Sequence, residues 1–135
     1  MEPNLIDNFM KALIEKTLNK ELIWNSFTDD TYFDGERASD LLGQDEFHQI
    51  YYFESYVLQK DDGRIFLVSE FNESGRDWKY NTEGFAIYIQ PKPSQPLERI
   101  LFDTPDVYRL KNAIELNIKT DVSPEVNDFL HRFFQ

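Results

Sequence analysis

Apolar residues recur at three- and four-residue spacing over residues 4–19. Leu5, Ile6, Phe9, Met10, Leu13, Ile14 and Leu18 are interleaved with Asp7, Lys11, Glu15 and Lys16. That spacing predicts an amphipathic helix, with Pro3 acceptable near its start because the first helical nitrogens need no hydrogen. The period then changes. "ELIWNSF" (21–27) alternates Ile23, Asn25 and Phe27 against Leu22, Trp24 and Ser26, the two-residue period of a short strand. Residues 28–46 are polar and acidic with two glycines, which predicts a loop with one helical turn at 38–42. "FHQIYYFESYVLQK", "DDG" and "RIFLVSEF" predict a hairpin, its tight turn supplied by Asp-Gly. Both faces of that hairpin are apolar, which predicts a central position covered on both sides.

"EGFAIYIQ" predicts a further long strand, and "LERILF" an edge strand beyond the proline-rich connection 91–96, since proline cannot donate to a central ladder. Two helices follow. In "DTPDVYRLKNAIELN", Thr104 is the expected cap, Pro105 the first helical residue, and Val107, Leu110, Ala113, Ile114 and Asn117 the buried stripe. "SPEVNDFLHRFF" repeats the device with Ser123 and Pro124, and its period predicts Val126, Phe129, Leu130 and Phe133 facing inward. The fold class expected is α+β: an N-terminal amphipathic helix, an antiparallel meander of four to five strands and two C-terminal helices. No repeat, low-complexity segment or linker interrupts the chain, so residues 1–135 are expected to form a single domain.

Composition narrows the function. No apolar run approaches the ~20 residues that span a bilayer. The first 16 residues lack a basic n-region, an apolar h-region and a small-residue cleavage site. The expected compartment is the cytoplasm, with no membrane partner. Zero cysteines exclude disulfides, a cysteine nucleophile and cysteine-ligated metals. With 25 acidic and 14 basic residues the net charge is −11. A field this negative opposes the counterion exchange that binds a phosphate backbone, so nucleic acid is not an expected partner. It favours a protein partner, and a basic one in particular.

Motifs for chemistry are sparse. The five glycines are scattered, and neither phosphate-cradling pattern occurs. "DTYFDGE" (30–36) matches a calcium loop at Asp30, Asp34 and Gly35, but Tyr32 and Leu41 stand where the third and twelfth ligands belong. His48 and His131 lack the neighbourhoods of zinc ligands, and Ser74 lacks the strand-turn-helix setting of a nucleophile. With so many acids, adjacent pairs such as Asp61/Asp62 or Glu70/Glu73 carry no signal. No cofactor, metal or catalytic residue is expected. The candidate binding residues are aromatic or lie in the long crossing between two strands: Arg76, Asp77, Trp78 and Tyr80, with Tyr52 and Tyr56 on the hairpin. Trp78 either anchors that crossing on the sheet edge or joins Arg76 and Tyr80 in an exposed contact set.

"LIEKTLNKELIW" (13–24) resembles the start of small uncharacterised bacterial proteins associated with mobile elements, a helix ending in "LIEKT" followed by a strand opening at Trp24. The resemblance implies a bacterial cytosolic accessory protein and no activity.

Three functions remain open. The leading expectation is a small acidic protein that acts by protein binding without catalysis, a homodimer through an aromatic sheet face or the C-terminal helices being one form of it. The second is an acidic inhibitor or immunity-type protein that neutralises a basic enzyme or mimics nucleic acid. The third is a small-ligand protein or enzyme with a helix–sheet pocket that uses Arg76, His48 or Tyr80.

Overall fold

The computed structural model describes residues 4–45, 48–72, 82–120 and 124–133. In chain order its elements are α1 (Leu5–Leu18), β1 (Asn25–Ser26), β2 (Tyr32–Phe33), β3 (Glu36–Arg37), α2 (Ala38–Leu41), β4 (His48–Ile50), a 3-10 turn (Tyr52–Glu54), β5 (Tyr56–Lys60), β6 (Gly63–Asn72), β7 (Thr82–Gln90), β8 (Glu98–Phe102), α3 (Pro105–Thr120) and α4 (Pro124–Arg132). The fold is α+β. The chain divides into two compact units, one of residues 1–22 with 109–135, the other of residues 23–108.

The unit of residues 23–108 is organised by one antiparallel sheet in the order β1-β5-β6-β7-β8, with β4 beside β5 on the same edge of β6. The four strands β5 to β8 form the expected meander. β6 is central, and alternation divides it into two buried rows. Phe66 and Val68 share a face with Val57, and Leu67 shares the other with Tyr56 and Ile87. On the first face Phe66 and Val68 join Phe27, Ala38, Leu42, Ile50 and Val57 in a continuous core. The Phe27 ring stands edge-on to Phe33, Tyr52 and Phe66 at centroid separations of 6.0, 5.6 and 5.7 Å. The quadrupoles of aromatic rings favour this geometry.

Three local expectations change. The strand expected over 21–27 shrinks to Asn25–Ser26, because Trp24 and Phe27 are both buried and stand three residues apart rather than two. The expected loop 28–46 contains a two-stranded hairpin and the expected helical turn. Asp34 and Gly35 both take positive φ, 54° and 84°, as a two-residue type I′ turn requires. The long strand before "DDG" is broken by the 3-10 turn at Tyr52–Glu54. Ser55 bridges the break: its hydroxyl donates to Tyr51 O at 2.9 Å and accepts the Ser69 N–H at 3.0 Å, replacing a lost ladder bond. The following turn comprises Asp61 and Asp62, with Gly63 already paired in β6 opposite Lys60.

In the unit of residues 1–22 and 109–135, α1 buries Met10, Leu13 and Thr17, and α3 buries Leu110, Ala113 and Ile114. Asn117 donates its amide to Thr17 O, capping the carbonyl end of α1. The Thr104 hydroxyl, the expected cap of α3, has no hydrogen-bond partner among the described residues; the Thr104 carbonyl accepts the Val107 N–H at 3.1 Å instead. Ser123 lies outside the described residues.

The expectation for α4 is overturned. Val126, Phe129, Leu130 and Phe133 are 45, 52, 45 and 72% exposed. Their spacing shows that one face of this helix is apolar, but periodicity cannot say whether that face is covered by its own chain.

Candidate functional site

The first-face row of β6 reads Arg64, Phe66, Val68, Glu70: two apolar residues between opposite charges. Glu70 is 1% exposed. A carboxylate withdrawn from water costs several kcal/mol unless partners replace its hydration. Three donors do so, each from a different strand. Tyr88 Oη (β7) donates to Glu70 Oε2 at 2.7 Å, Arg99 Nη1 (β8) to Oε1 at 2.7 Å, and His48 Nε2 (β4) lies 2.8 Å from Oε2. The other His48 ring nitrogen is 3.3 Å from Gly43 O. The Arg99 guanidinium lies 4.9 Å from the centre of the Phe102 ring. Opposite Glu70 in the ladder is Gly84, where a Cβ would come within 2.8 Å of both the Phe102 ring and Asp103 Oδ1. Glycine is what lets these side chains close over the strand. Burial, the hydrogen bond to Glu70 and the charge of that carboxylate together push the Tyr88 hydroxyl above its ordinary pKa, so it remains a donor.

At the other end of the row Arg64 is also buried, and each of its three guanidinium nitrogens donates a hydrogen bond. Nε donates to Gln59 Oε1 at 3.0 Å, Nη1 to Gln90 Oε1 at 2.9 Å and Nη2 to Asp34 Oδ2 at 2.6 Å. The Phe33 ring centre lies 5.1 Å from the guanidinium carbon. Asp34 and Phe33 belong to the β2–β3 hairpin, so this contact clasps the hairpin to the sheet.

These clusters hold strands together, and their polar atoms are bonded to one another. Neither was anticipated, because their members are scattered in sequence. An acid and an arginine on the apolar face of a central strand are the one visible sign. Among the described residues no three His, Asp or Glu side chains gather in a way that could hold a metal ion.

Of the candidate binding residues, Arg76, Asp77, Trp78 and Tyr80 lie outside the described residues. Tyr52 is half-buried in the first-face core, with its hydroxyl donating to Gln44 Oε1. Burial first, and the Asp29 charge second, push that hydroxyl up to about 12. Tyr56 is buried on the opposite face, across from Leu67. The sheet therefore separates Tyr52 from Tyr56. Beside β6, Tyr51 stacks on Phe71 at 5.4 Å and meets Phe53 edge-on at 5.9 Å, leaving Phe53 largely exposed.

The longest exposed apolar row on one described element is that of α4. Phe129 and Phe133 contact each other edge-to-face at 5.2 Å. Glu125 opens the helix and His131 and Arg132 close it, each sign at the end that the helix dipole favours. A helix with one apolar stripe and charged flanks is equipped for helix-in-groove or helix-on-helix contact. The described residues contain no helix long and apolar enough to cross a membrane.

No protein-family model, curated protein or solved structure matches this chain.

Proposed function

We propose that this chain is a small acidic bacterial protein of the cytoplasm that acts by binding protein, without catalysis, through the apolar face of α4. The supporting observation is the exposure of Phe129 on α4 and of Phe133 in the turn after it, at 52 and 72%, with the charges of the helix all off that stripe. Isolated exposed apolar residues are ordinary on protein surfaces, whereas a contiguous row of aromatic and aliphatic side chains marks a contact surface. Aromatic residues in such a row carry most of the binding energy at interfaces.

The test is capture from an extract of the native host with tagged wild type and with the double variant Phe129→Ser/Phe133→Ser. Wild type is expected to retain a protein that the variant loses, while both give the same circular dichroism spectrum and melting temperature. Equal capture by the two would overturn the α4 reading.

The net charge of −11 favours one version of this function, an acidic inhibitor or immunity-type protein for a basic enzyme. Its affinity would fall steeply between low and high salt, because exposed charges are screened over ~8 Å at physiological ionic strength. A small-ligand or enzymatic role draws less support: Glu70, Arg64 and their partners already satisfy one another.

A further inference from the structure

The charge pattern of α4 names a partner for its apolar face, on the reading that this face is a contact surface. At 100° per residue, Val126, Phe129 and Leu130 fall within about 100° of arc, and Phe133 stands in the turn that follows the helix. Glu125 and Arg132 are seven residues apart and stand on the same flank of that stripe, with about 10 Å between them along the axis. Asp128 and His131 lie on the far side of the helix. The stripe is therefore bordered on one flank by one acid near its start and one base near its end.

We propose that α4 pairs antiparallel with α4 of a second copy of this chain about a two-fold axis. A two-fold axis perpendicular to the helices brings each flank against the same flank of the copy. Glu125 then meets Arg132 of the copy, and Arg132 meets Glu125, so one sequence motif forms two ion pairs. Setting Phe129 against Leu130 of the copy leaves each ion pair offset by only about 3 Å along the axis, within reach of an arginine side chain. A parallel pair would place opposite flanks together and leave both charges unmatched. Flank charges of this kind set orientation and partner in paired helices. The interface is small, so association in the micromolar range is expected rather than nanomolar.

The experiment is sedimentation equilibrium on the full chain from about 1 to about 500 μM, on wild type, Glu125→Arg, Arg132→Glu, an equimolar mixture of those two, and the double charge swap. Wild type should rise from its monomer mass of 16.1 kDa toward twice that value with concentration. Each single variant opposes like charges twice and should weaken association by about tenfold or more. The mixture restores both ion pairs between unlike copies and should recover the dimer, as should the double variant. Circular dichroism spectra and melts at the lowest concentration, where every variant is monomeric, should show the same fold with only the small loss that reversing a charge at a helix end brings, and separate these effects from misfolding. Monomer at every concentration overturns the proposal, as does dimerisation of the single variants at wild-type strength or a mixture no more associated than its components. Failure here with α4-dependent capture from host extract intact overturns the second copy alone. Failure of both removes α4 as a contact surface.

Discussion

Phe66 and Phe133 are the same side chain in opposite settings. Phe66 lies at the middle of a central strand, fully buried, with Phe27 and Phe33 rings 5.7 and 5.3 Å away. Phe133 follows the last helix, is 72% exposed, and has the Phe129 ring at 5.2 Å. The contrast extends to their surroundings. The first face of the sheet is complete to the point of satisfying a buried Glu70 and a buried Arg64 with named partners. α4 exposes apolar surface and keeps its charges off the stripe. A region whose groups satisfy one another is a scaffold, and a region that leaves apolar surface in water is where a second molecule can contribute.

Truncating the two phenylalanines gives the sharpest test of this contrast. Phe66→Ala should cost about 3–5 kcal/mol in denaturant unfolding, from lost transfer energy and a cavity ringed by aromatic side chains. If the loss is below about 1 kcal/mol, the face is not the close-packed core described.

Glu70→Ala comes next, at about 3 kcal/mol. It strands the Tyr88 hydroxyl and removes the anion that Arg99 and His48 converge on. Arg99→Ala should cost less, about 1 kcal/mol, because Arg99 is partly solvated and the carboxylate keeps two donors. The order of these two losses is the informative quantity. Equal losses would mean that the arginine pair, rather than the whole cluster, holds the four strands.

A smaller effect lies at alkaline pH. The Tyr52 hydroxyl is raised from 10.0 to about 12, chiefly by burial, so between those values the folded chain keeps a proton that the unfolded chain has released. Proton uptake then favours folding less as pH rises, and stability present below pH 10 falls as pH climbs toward 12. The melting temperature should drop across that window, and Tyr52→Phe should shallow the drop. An unchanged slope in the variant would show that other groups govern alkaline unfolding; Tyr108, also raised to about 12, is the first to examine.

Elements with an unbroken period over many residues were legible in the sequence. α1 and the stripe of α3 announce themselves by an apolar face that repeats over several turns, and β6 and β7 by long apolar runs buried on both faces. The β2–β3 hairpin was missed although Asp34-Gly35 is a strong turn signal, since two residues on each side are too few for alternation to register. The break at Tyr52–Glu54 was missed because aromatic residues suit a strand and a core-facing turn equally well. The Glu70 cluster was beyond reach for a different reason. Its partners lie 22, 18 and 29 residues away, and only the strand register brings them together. An acid inside "IFLVSEF" announces that a buried charge needs donors, but not which of 14 basic residues will supply one.

The smallest stability effect is the one that completes the comparison. Phe133→Ala should change the unfolding free energy by no more than about 0.5 kcal/mol, since the side chain is already in water in the folded state. If α4 lies against a second molecule in solution, the same substitution has a second, larger consequence that dilute unfolding does not read. Stability measured at low concentration would be unchanged, while at high concentration the variant would lose the stabilisation that association adds to the folded state of the wild type. A melting temperature that rises with concentration in wild type and stays level in Phe133→Ala is therefore expected. Level curves for both would place Phe133 among ordinary exposed residues, and the contrast with Phe66 would then be one of burial alone.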